Sequence, residues 1–166
     1  MIRIVEPHGV LLEQAEALAK RVFPNQDFGE HTCFWAYARQ DDPAVRDAQR
    51  QFGVEEFLHF SVAVTEFEEV VGVCGLYTTP DTQHDSVWLN WLCVDPNYRK
   101  QGIRRMLLET AIKQAKATGK KFLCLFTSDD PNEAAAQKLY EKYGLKIVRK
   151  EKDSTHMTFY RTLRLY

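Results

Sequence analysis

Residues 91–108 constrain the fold most, because an apolar run, a basic loop with one glycine and an amphipathic helix start follow one another there without a break. This order leaves backbone N–H groups at the helix start free and pointing at one place, where the helix dipole favours negative charge. Four positive side chains surround the same place: Arg99, Lys100, Arg104 and Arg105. The segment therefore predicts a binding site for an anion, most naturally a ligand that carries phosphate.

The pattern of apolar residues predicts an α/β domain built on a mixed sheet with helices on its faces. β-rich runs at 59–65, 70–78 and 86–94 are separated by short polar turns, which indicates a meander of three antiparallel strands. Residues 122–127 are apolar on both sides, as a central strand covered by helices requires. The predicted order is β-α-α-β-β-β-α-β-α-β-β, with helices at 10–22 and 32–39, after Gly102 and after Asp130, and a short helix after Asp42-Pro43.

Composition limits the classes of function. The chain has 166 residues, 45% of them hydrophobic and 27% charged, which fits one domain spanning residues 1–166 with its own core. A net charge of −1 gives no general electrostatic reason to expect nucleic acid as a partner. No apolar run approaches the roughly 20 residues of a membrane span, and Arg3 and Glu6 interrupt the only apolar start. We therefore expect a cytoplasmic protein that binds neither nucleic acid nor a membrane.

The cysteines and histidines do not predict a metal site. None of the four cysteines forms a C-x-x-C pair, and three of them lie in apolar, strand-like runs, as buried reduced thiols do. The five histidines are scattered without the spacing of metal ligands. We therefore expect no bound metal.

The loop at 99–105 matches neither the Walker A motif nor the Rossmann glycine motif. Taken alone, a basic helix start with one glycine is most often a solvated turn. Here, however, a Val-x-Pro turn at 94–96 followed by Arg99 and Gly102 resembles the motif Gln/Arg-x-x-Gly-x-Gly/Ala of the GNAT family of N-acetyltransferases. Arg104 stands where that family has glycine or alanine. The resemblance implies the GNAT fold, a mostly antiparallel central sheet with helices on both faces.

A second stretch resembles the family's other signature, Asn…Leu-Tyr-x-x-x-Gly-Phe. Asn132 precedes Leu139-Tyr140, which Gly144 and Leu145 follow, while Glu133 stands at the strict spacing from the tyrosine. The resemblance implies that acetyl-CoA is the donor, that Asn132 contacts its pantetheine arm, and that Tyr140 is the general acid for the departing thiolate. The residues that it predicts to bind acetyl-CoA are Leu92, Cys93, Val94, Arg99, Lys100, Gln101, Gly102, Ile103, Arg104, Arg105, Asn132 and Tyr140.

The general base is harder to predict. The position where many family members carry a strand glutamate is Trp88 here, and the rest of that strand holds no Asp or Glu. Asp85 and His84 lie just before the strand, and we take Asp85 as the predicted base. Asn90 could only position a water, and other members rely on the deprotonated fraction of the substrate amine. A minor alternative makes Cys93 an acyl-carrying nucleophile.

The predicted acceptor is a primary amine, on a small molecule or on a peptide. Its site would be lined by aromatic residues, for which core packing is the commoner role: Trp35, Tyr37, Trp88, Trp91 and Tyr160. A non-catalytic CoA-binding module of the same fold is the alternative function, and a longer acyl donor is a further option. An edge strand near the C-terminus could pair two chains into a homodimer.

Overall fold

The computed structural model describes residues 1–24 and 33–166. Five helices and seven strands, joined by two short 3₁₀ helices at Pro96–Tyr98 and Pro131–Glu133, make up these parts of the chain. In chain order they are β1 (Arg3–Val5), α1 (Val10–Val22), α2 (Cys33–Arg39), α3 (Pro43–Gln51), β2 (Glu56–Val64), β3 (Val70–Thr78), β4 (Ser86–Val94), α4 (Ile103–Ala117), β5 (Phe122–Ser128), α5 (Ala134–Lys142), β6 (Lys146–Lys152) and β7 (Met157–Arg164).

The strands form one sheet in the order β1-β2-β3-β4-β5-β7-β6. Every neighbouring pair is antiparallel except β4 and β5, which run parallel and are joined by the crossover helix α4. The prediction of a mixed, mostly antiparallel sheet is therefore confirmed. None of the helices in the described parts of the chain combines the length and the apolar character that crossing a membrane requires.

Helices cover both faces of the sheet, as expected. On one face α4 and α5 pack against β3, β4 and β5, with fully buried side chains such as Leu107 and Leu123. On the other face α1, α2 and α3 pack against β2 and β3, around Leu18, Phe34 and Phe60. The central strands are buried from both sides, which explains why the sequence of β5 is apolar at nearly every position.

The early part of the chain differs in detail from the prediction. The strand expected at 59–65 begins three residues earlier, at Glu56, because Phe57 pairs with Tyr77 at the far end of β3. Three helices precede it, and the short helix predicted after Asp42-Pro43 is α3, with the Asp42 side chain accepting a hydrogen bond from the N–H of Ala44. Residue 32, the predicted start of the second helix, lies outside the described residues.

The sheet opens between its two parallel strands. Ser86, Val87 and Trp88 of β4 pair with residues 122–124 of β5, and no pairing joins the strands beyond that point. The rest of β4 stays paired with β3, and the rest of β5 stays paired with β7. A register shift between β3 and β4 marks a bulge in β4, where Trp91 has a φ of 54°. The two halves of the sheet therefore diverge and leave a cleft beside the second half of β4.

Candidate functional site

The floor of the cleft is the free edge of β4. The backbone N–H of Asp95 donates to the carbonyl of Val71 at 2.9 Å, so this residue faces β3. Neighbouring residues of a strand direct their N–H and C=O groups to opposite sides. Leu92 and Val94 therefore direct theirs into the cleft, where the carbonyl of Val94 accepts a hydrogen bond from Arg99 Nε at 3.3 Å. The N–H groups of this edge face a ligand space and not another strand.

The loop at the open end of the cleft presents backbone N–H groups. Lys100 and Gly102 have φ values of 64° and 79°, and this left-handed backbone turns the chain into α4. The first intrahelical bond at this end joins the N–H of Met106 to the carbonyl of Gly102 at 3.0 Å. No side chain of the described residues caps the helix start, so the N–H groups of residues 103–105 keep their donors for a ligand.

The loop side chains divide into two groups. Arg99, Lys100, Gln101 and Arg105 are exposed around the free N–H groups, as the sequence predicts for an anion site. Ile103, in contrast, is 2% exposed and packs in the core, so only its backbone can contact a ligand. The exposed cationic side chains therefore surround the free backbone N–H groups at the start of α4.

Arg104 does not join this rim. Its side chain is half-buried, and its Nε is shielded from solvent without a hydrogen-bond partner among the described residues. Burial raises the pKa of the Cys93 thiol to about 12, and the positive charge of Arg104 acts against that rise. Burial also raises the pKa of Tyr140, and the charge of Arg104 again acts against the rise. The charge of Arg104 therefore reaches both Cys93 of β4 and Tyr140 of α5.

Tyr140 is a buried residue of α5, on the face of the sheet that α4 also covers. It is 5% exposed, and burial raises the pKa of its phenol far above the ordinary value. Its hydroxyl makes no hydrogen bond to any of the described residues. A buried tyrosine normally finds a partner for its hydroxyl. This one keeps its proton at neutral pH and has its donor available for a ligand atom.

A network of buried polar groups holds α5 in place. Arg161 of β7 is 2% exposed, and its Nη1 donates to the carbonyl of Leu145 at 2.8 Å. Its Nε and Nη2 donate to Gln137 Oε1, and Gln137 in turn donates to the carbonyl of Ser128. The sequence reasoning missed Arg161. The signal was the alternation of β7, which puts residues 159, 161 and 163 on the inward face.

The turn before α5 explains the spacing of the second signature. Asn132 is exposed in the 3₁₀ helix, and its backbone N–H donates to Asp130 Oδ1 at 2.8 Å. The carboxylate of Glu133 accepts hydrogen bonds from both the N–H and the hydroxyl of Ser128. The carboxylate of Glu133 is therefore hydrogen-bonded to the end of β5, whereas the amide side chain of Asn132 is exposed.

Asp85 lies at the opposite end of β4 from the free edge at Leu92 and Val94. Asp85 precedes β4, where its carboxylate accepts a hydrogen bond from the hydroxyl of Ser86 at 2.6 Å. Its carbonyl accepts from the N–H groups of Lys121 and Phe122, which fixes it at the start of β5. Seven residues separate Asp85 from Leu92, on the order of 20 Å along a strand. Catalysis by Asp85 stays a prediction, and it would need a chain of waters.

Trp88 and Asn90 point toward the face of the sheet that α1 and α2 cover. Trp88 Nε1 donates to Thr82 Oγ1 at 2.9 Å, so this indole is held beside the polar turn before β4. Asn90 Oδ1 is buried and has no hydrogen-bond partner among the described residues. It lies against Gly75, where an added Cβ would be 2.1 Å from it. This oxygen is an acceptor that a water or a substrate N–H could use.

The five aromatic residues predicted to line the acceptor site lie in different surroundings. Trp91 packs against Phe23 and Phe34, with ring centroids 5.6 and 6.1 Å apart. Tyr37 donates to Glu6, which together with burial raises the pKa of this phenol. Two of the other rings contact cations: Arg39 lies over the ring of Trp35, and Arg149 lies over the ring of Tyr160.

The cysteines in the described part of the chain are not poised for chemistry. Burial raises the pKa of Cys74, of Cys93 and of Cys124, so their thiolates are scarce at neutral pH. This weighs against the alternative in which Cys93 carries the acyl group. Within residues 1–24 and 33–166, no three His, Cys, Asp or Glu side chains form a group that could hold a metal ion.

Solved structures with the same fold include several acetyltransferases. An N-acetyltransferase from Staphylococcus aureus Mu50 superposes with a TM-score of 0.71 at 20% identity, covering 100% of this chain and 99% of its own. The Escherichia coli ribosomal-protein-S18-alanine N-acetyltransferase gives 0.70 at 20% identity, with 99% and 94% covered. An aminoglycoside 6'-N-acetyltransferase complexed with coenzyme A gives 0.69 at 20% identity, with 99% and 97% covered.

Sequence comparison assigns the family. No protein of curated function matches the chain significantly. The family model of the acetyltransferase (GNAT) family, however, matches residues 12–145, which include β4, the basic loop, α4, β5 and α5. With the diverging strands and the fold described above, this match is decisive, and the chain belongs to the GNAT family of acetyltransferases.

Proposed function

We propose that this protein is an acetyl-CoA-dependent N-acetyltransferase that moves an acetyl group directly onto a primary amine. The observation that carries the proposal is the free edge of β4. It directs the N–H groups of Leu92 and Val94 into a cleft between an uncapped helix start and the unpartnered hydroxyl of Tyr140. A slender ligand with a phosphate at one end and a reactive sulphur at the other has the shape and chemistry of this cleft.

The residues of the cleft fit acetyl-CoA, which supplies the activated acetyl group when bound. The N–H groups of residues 103–105, with the exposed Arg99 and Lys100, would hold the pyrophosphate. The β4 edge would bond the pantetheine arm as a neighbouring strand would, and Asn132 would reach the same arm from the start of α5. The cleft is cationic at its open end and apolar inside. Acetyl-CoA likewise carries phosphates at one end and the acetyl thioester at the other.

Tyr140 and the β4 edge would perform the chemistry. The N–H near Val94 would donate to the carbonyl oxygen and so stabilise the charge that develops there during attack by the amine. Tyr140 would deliver its proton to the sulphur as the bond to the acetyl carbon breaks, which its raised pKa permits because the phenol stays protonated. The amine would attack as its neutral form, with Asp85 as the predicted base acting through water.

The family and two of the structural neighbours support an amine as the acceptor. One of those neighbours is named for an alanine of a ribosomal protein and another for an aminoglycoside, so peptide and small-molecule amines both occur on this fold. For this chain we propose a primary amine of either kind. The acceptor would enter from the face that α1 and α2 cover, where Trp88 and Asn90 lie.

One observation favours the alternative of a CoA-binding module without catalysis. The strand β4 carries no carboxylate, and tryptophan occupies the position where many family members have glutamate. A protein that only senses CoA would keep the pyrophosphate loop and dispense with the base. The two functions make opposite predictions for turnover, while both predict binding.

The experiment is acetyl-CoA turnover against a panel of amines, followed by CoA thiol release. The panel contains polyamines, aminoglycosides, amino acids and peptides with free N-termini, and calorimetry measures acetyl-CoA binding in parallel. Release of CoA that depends on one class of amine supports the acetyltransferase. Tight binding without turnover on any amine would favour the module, and absence of binding would refute both.

A further inference from the structure

Two side chains flank the opening between β4 and β5 on one face of the sheet. Trp88 and Cys124 form the last pair of the two strands. Asn90 and Phe126 each lie two residues further along, so alternation directs their side chains to the face that Trp88 and Cys124 share. In a continuous parallel pair they would be neighbours. Because the strands diverge, Asn90 and Phe126 lie on opposite sides of the opening.

This face carries α1, α2 and α3 on one half of the sheet and is open on the other half. A Cβ added at Gly75 would meet both Asn90 and Phe60, and Phe60 belongs to the core beneath these three helices. Phe126 is on the opposite side of β5 from Leu125, which packs in the core beneath α4 and α5. Among the described residues, the core beneath α1, α2 and α3 includes none from β5, β6 or β7. The half-sheet on the Phe126 side of the opening is therefore uncovered there.

The uncovered half presents a flat apolar surface beside the opening. Phe126 is 56% exposed, and its ring centroid lies 5.9 Å from that of Tyr160, the residue paired with it on β7. A single exposed phenylalanine is common on protein surfaces, whereas apolar groups that adjoin one another mark a contact site for a ligand or partner. Here the two rings lie where an acceptor must pass to reach the opening from this face.

The charges next to these rings are already paired within the protein. Arg149 lies over the ring of Tyr160, with its Cζ 3.8 Å from the centroid, and forms an ion pair with Glu151. The other oxygen of Glu151 accepts a hydrogen bond from the Tyr160 hydroxyl at 2.9 Å. The carboxylates at the nearby strand ends each accept a hydrogen bond from a backbone N–H group: Asp129, Asp130 and Asp153. A ligand with several ammonium groups would have to compete with these partners.

The two observations together indicate the class of acceptor. Resting on the proposed function, we propose that Phe126 and Tyr160 select the acceptor, and that it is a primary monoamine on an aromatic or other flat apolar body. The body packs on the ring of Phe126, and the short arm that carries the nitrogen enters the opening beside Asn90. Polyamines and aminoglycosides are disfavoured, because this surface offers them rings and no carboxylate without a protein partner among those named above.

The test compares three amines with acetyl-CoA as donor. 2-Phenylethylamine has a flat apolar body, 2-methoxyethylamine has a small polar one, and spermidine carries several ammonium groups. Steady-state kinetics gives kcat and KM for each amine with the original protein and with Phe126→Ala and Phe126→Leu. Phe67→Ala is the matched control, because Phe67 is 84% exposed on the turn between β2 and β3. Calorimetry measures acetyl-CoA binding, circular dichroism checks folding, and light scattering gives the oligomeric state.

We expect kcat/KM for 2-phenylethylamine to exceed that for the other two amines about tenfold or more, the range that one apolar contact supplies. Phe126→Ala should lower this value about tenfold, mainly through KM, and leave 2-methoxyethylamine and acetyl-CoA binding unchanged. Phe126→Leu should retain part of the preference, since it stays apolar but loses the flat ring. It also supplies the answer if the alanine variant fails to fold. Phe67→Ala should behave as the original protein does.

Three outcomes would overturn the inference while the proposed function stands. One is a preference for spermidine or 2-methoxyethylamine in the original protein. Another is a loss in the Phe126 variants that is equal for all three amines. The third is a dimer that dissociates in Phe126→Ala without any change in amine preference, which would make this face an interface between two copies of the chain. Binding of acetyl-CoA without turnover of any amine would end both proposals.

Discussion

Gly72 of β3 lies directly against α4, and Gly72→Ala tests whether that contact sets the position of the pyrophosphate loop. A Cβ at residue 72 would lie 2.9 Å from Leu107 Cδ1 and 3.0 Å from Ile103 Cγ2. It would also lie 3.4 Å from Ala63 Cβ on the next strand. The added methyl has no room unless the side chains of Leu107 and Ile103 move or the helix withdraws from β3.

The magnitude follows from these distances. Carbon atoms in contact prefer about 3.5–4.0 Å, so both helix contacts are short by roughly 0.5–1 Å. Overpacking of this size costs about 1–3 kcal/mol of unfolding free energy. Ile103 is the first residue of α4, directly after Gly102, so the displaced end is the one with the free N–H groups. We expect CoA affinity to fall about tenfold, since misplacement near 1 Å can cost more than that.

The assay is a double-mutant cycle measured by urea unfolding and by CoA binding. Leu107→Ala alone should cost about 2–5 kcal/mol, because Leu107 is fully buried. It also removes the Cδ1 that blocks the new methyl. The double variant should therefore be less destabilised than the sum of the single variants by about 1 kcal/mol. Additive energies, or Gly72→Ala with unchanged CoA affinity, would refute the reasoning.

Three further predictions concern the cleft. Tyr140→Phe removes a hydroxyl without a described protein partner, so unfolding free energy should change by less than about 1 kcal/mol while kcat falls about 100-fold or more. Unchanged turnover at saturating substrates would remove Tyr140 from the mechanism. If Asp85 is the base, as the sequence predicts, Asp85→Asn should lower kcat about 100-fold. If its separation of about 20 Å from Leu92 along β4 is too large for that role, kcat should fall less than tenfold. Steady-state kinetics distinguishes the two outcomes. Burial raises the pKa of Cys93 from about 9 to about 12, so the unfolded chain loses this proton first. Stability should be constant below pH 9 and fall by up to about 1.4 kcal/mol per pH unit as pH rises toward 12. In urea unfolding, Cys93→Ala should have a shallower dependence between pH 8 and 10.5, and an unchanged slope would contradict the buried position.

The sequence predicted the parts of the site that depend on local order. An apolar strand, a basic loop with Gly102 and an amphipathic helix are consecutive in the chain, so their arrangement follows from local rules. The divergence of β4 from β5 was not predictable in this way, because pairing between strands joined by a crossover depends on distant residues. The position of Asp85 depends on the same pairing, because its carbonyl accepts hydrogen bonds from Lys121 and Phe122 where β4 and β5 begin to pair.

In the second signature, Asn132 lies one residue further from Tyr140 than the family spacing requires, and the structure explains the difference. A 3₁₀ helix, which is wound more tightly than an α-helix, precedes α5 and carries both Asn132 and Glu133. Spacing alone would select Glu133 as the ligand contact. The hydrogen bonds of its carboxylate to Ser128 instead make it a structural link between β5 and α5. Asn132 is left as the side chain that can face a ligand, which a count of residues does not reveal.

Two arginines act on Tyr140, and their hydrogen bonds distinguish their roles. Arg161 is 2% exposed, yet its guanidinium donates to Gln137, Leu145 and Glu141, so its charge and donors are already used in holding α5. Replacing it should lower stability first and turnover second. Arg104 is only half-buried, and its Nε has no hydrogen-bond partner among the described residues. The separation depends on which donors the fold satisfies: those of Arg161 hold α5, whereas Arg104 Nε has no partner among the described residues.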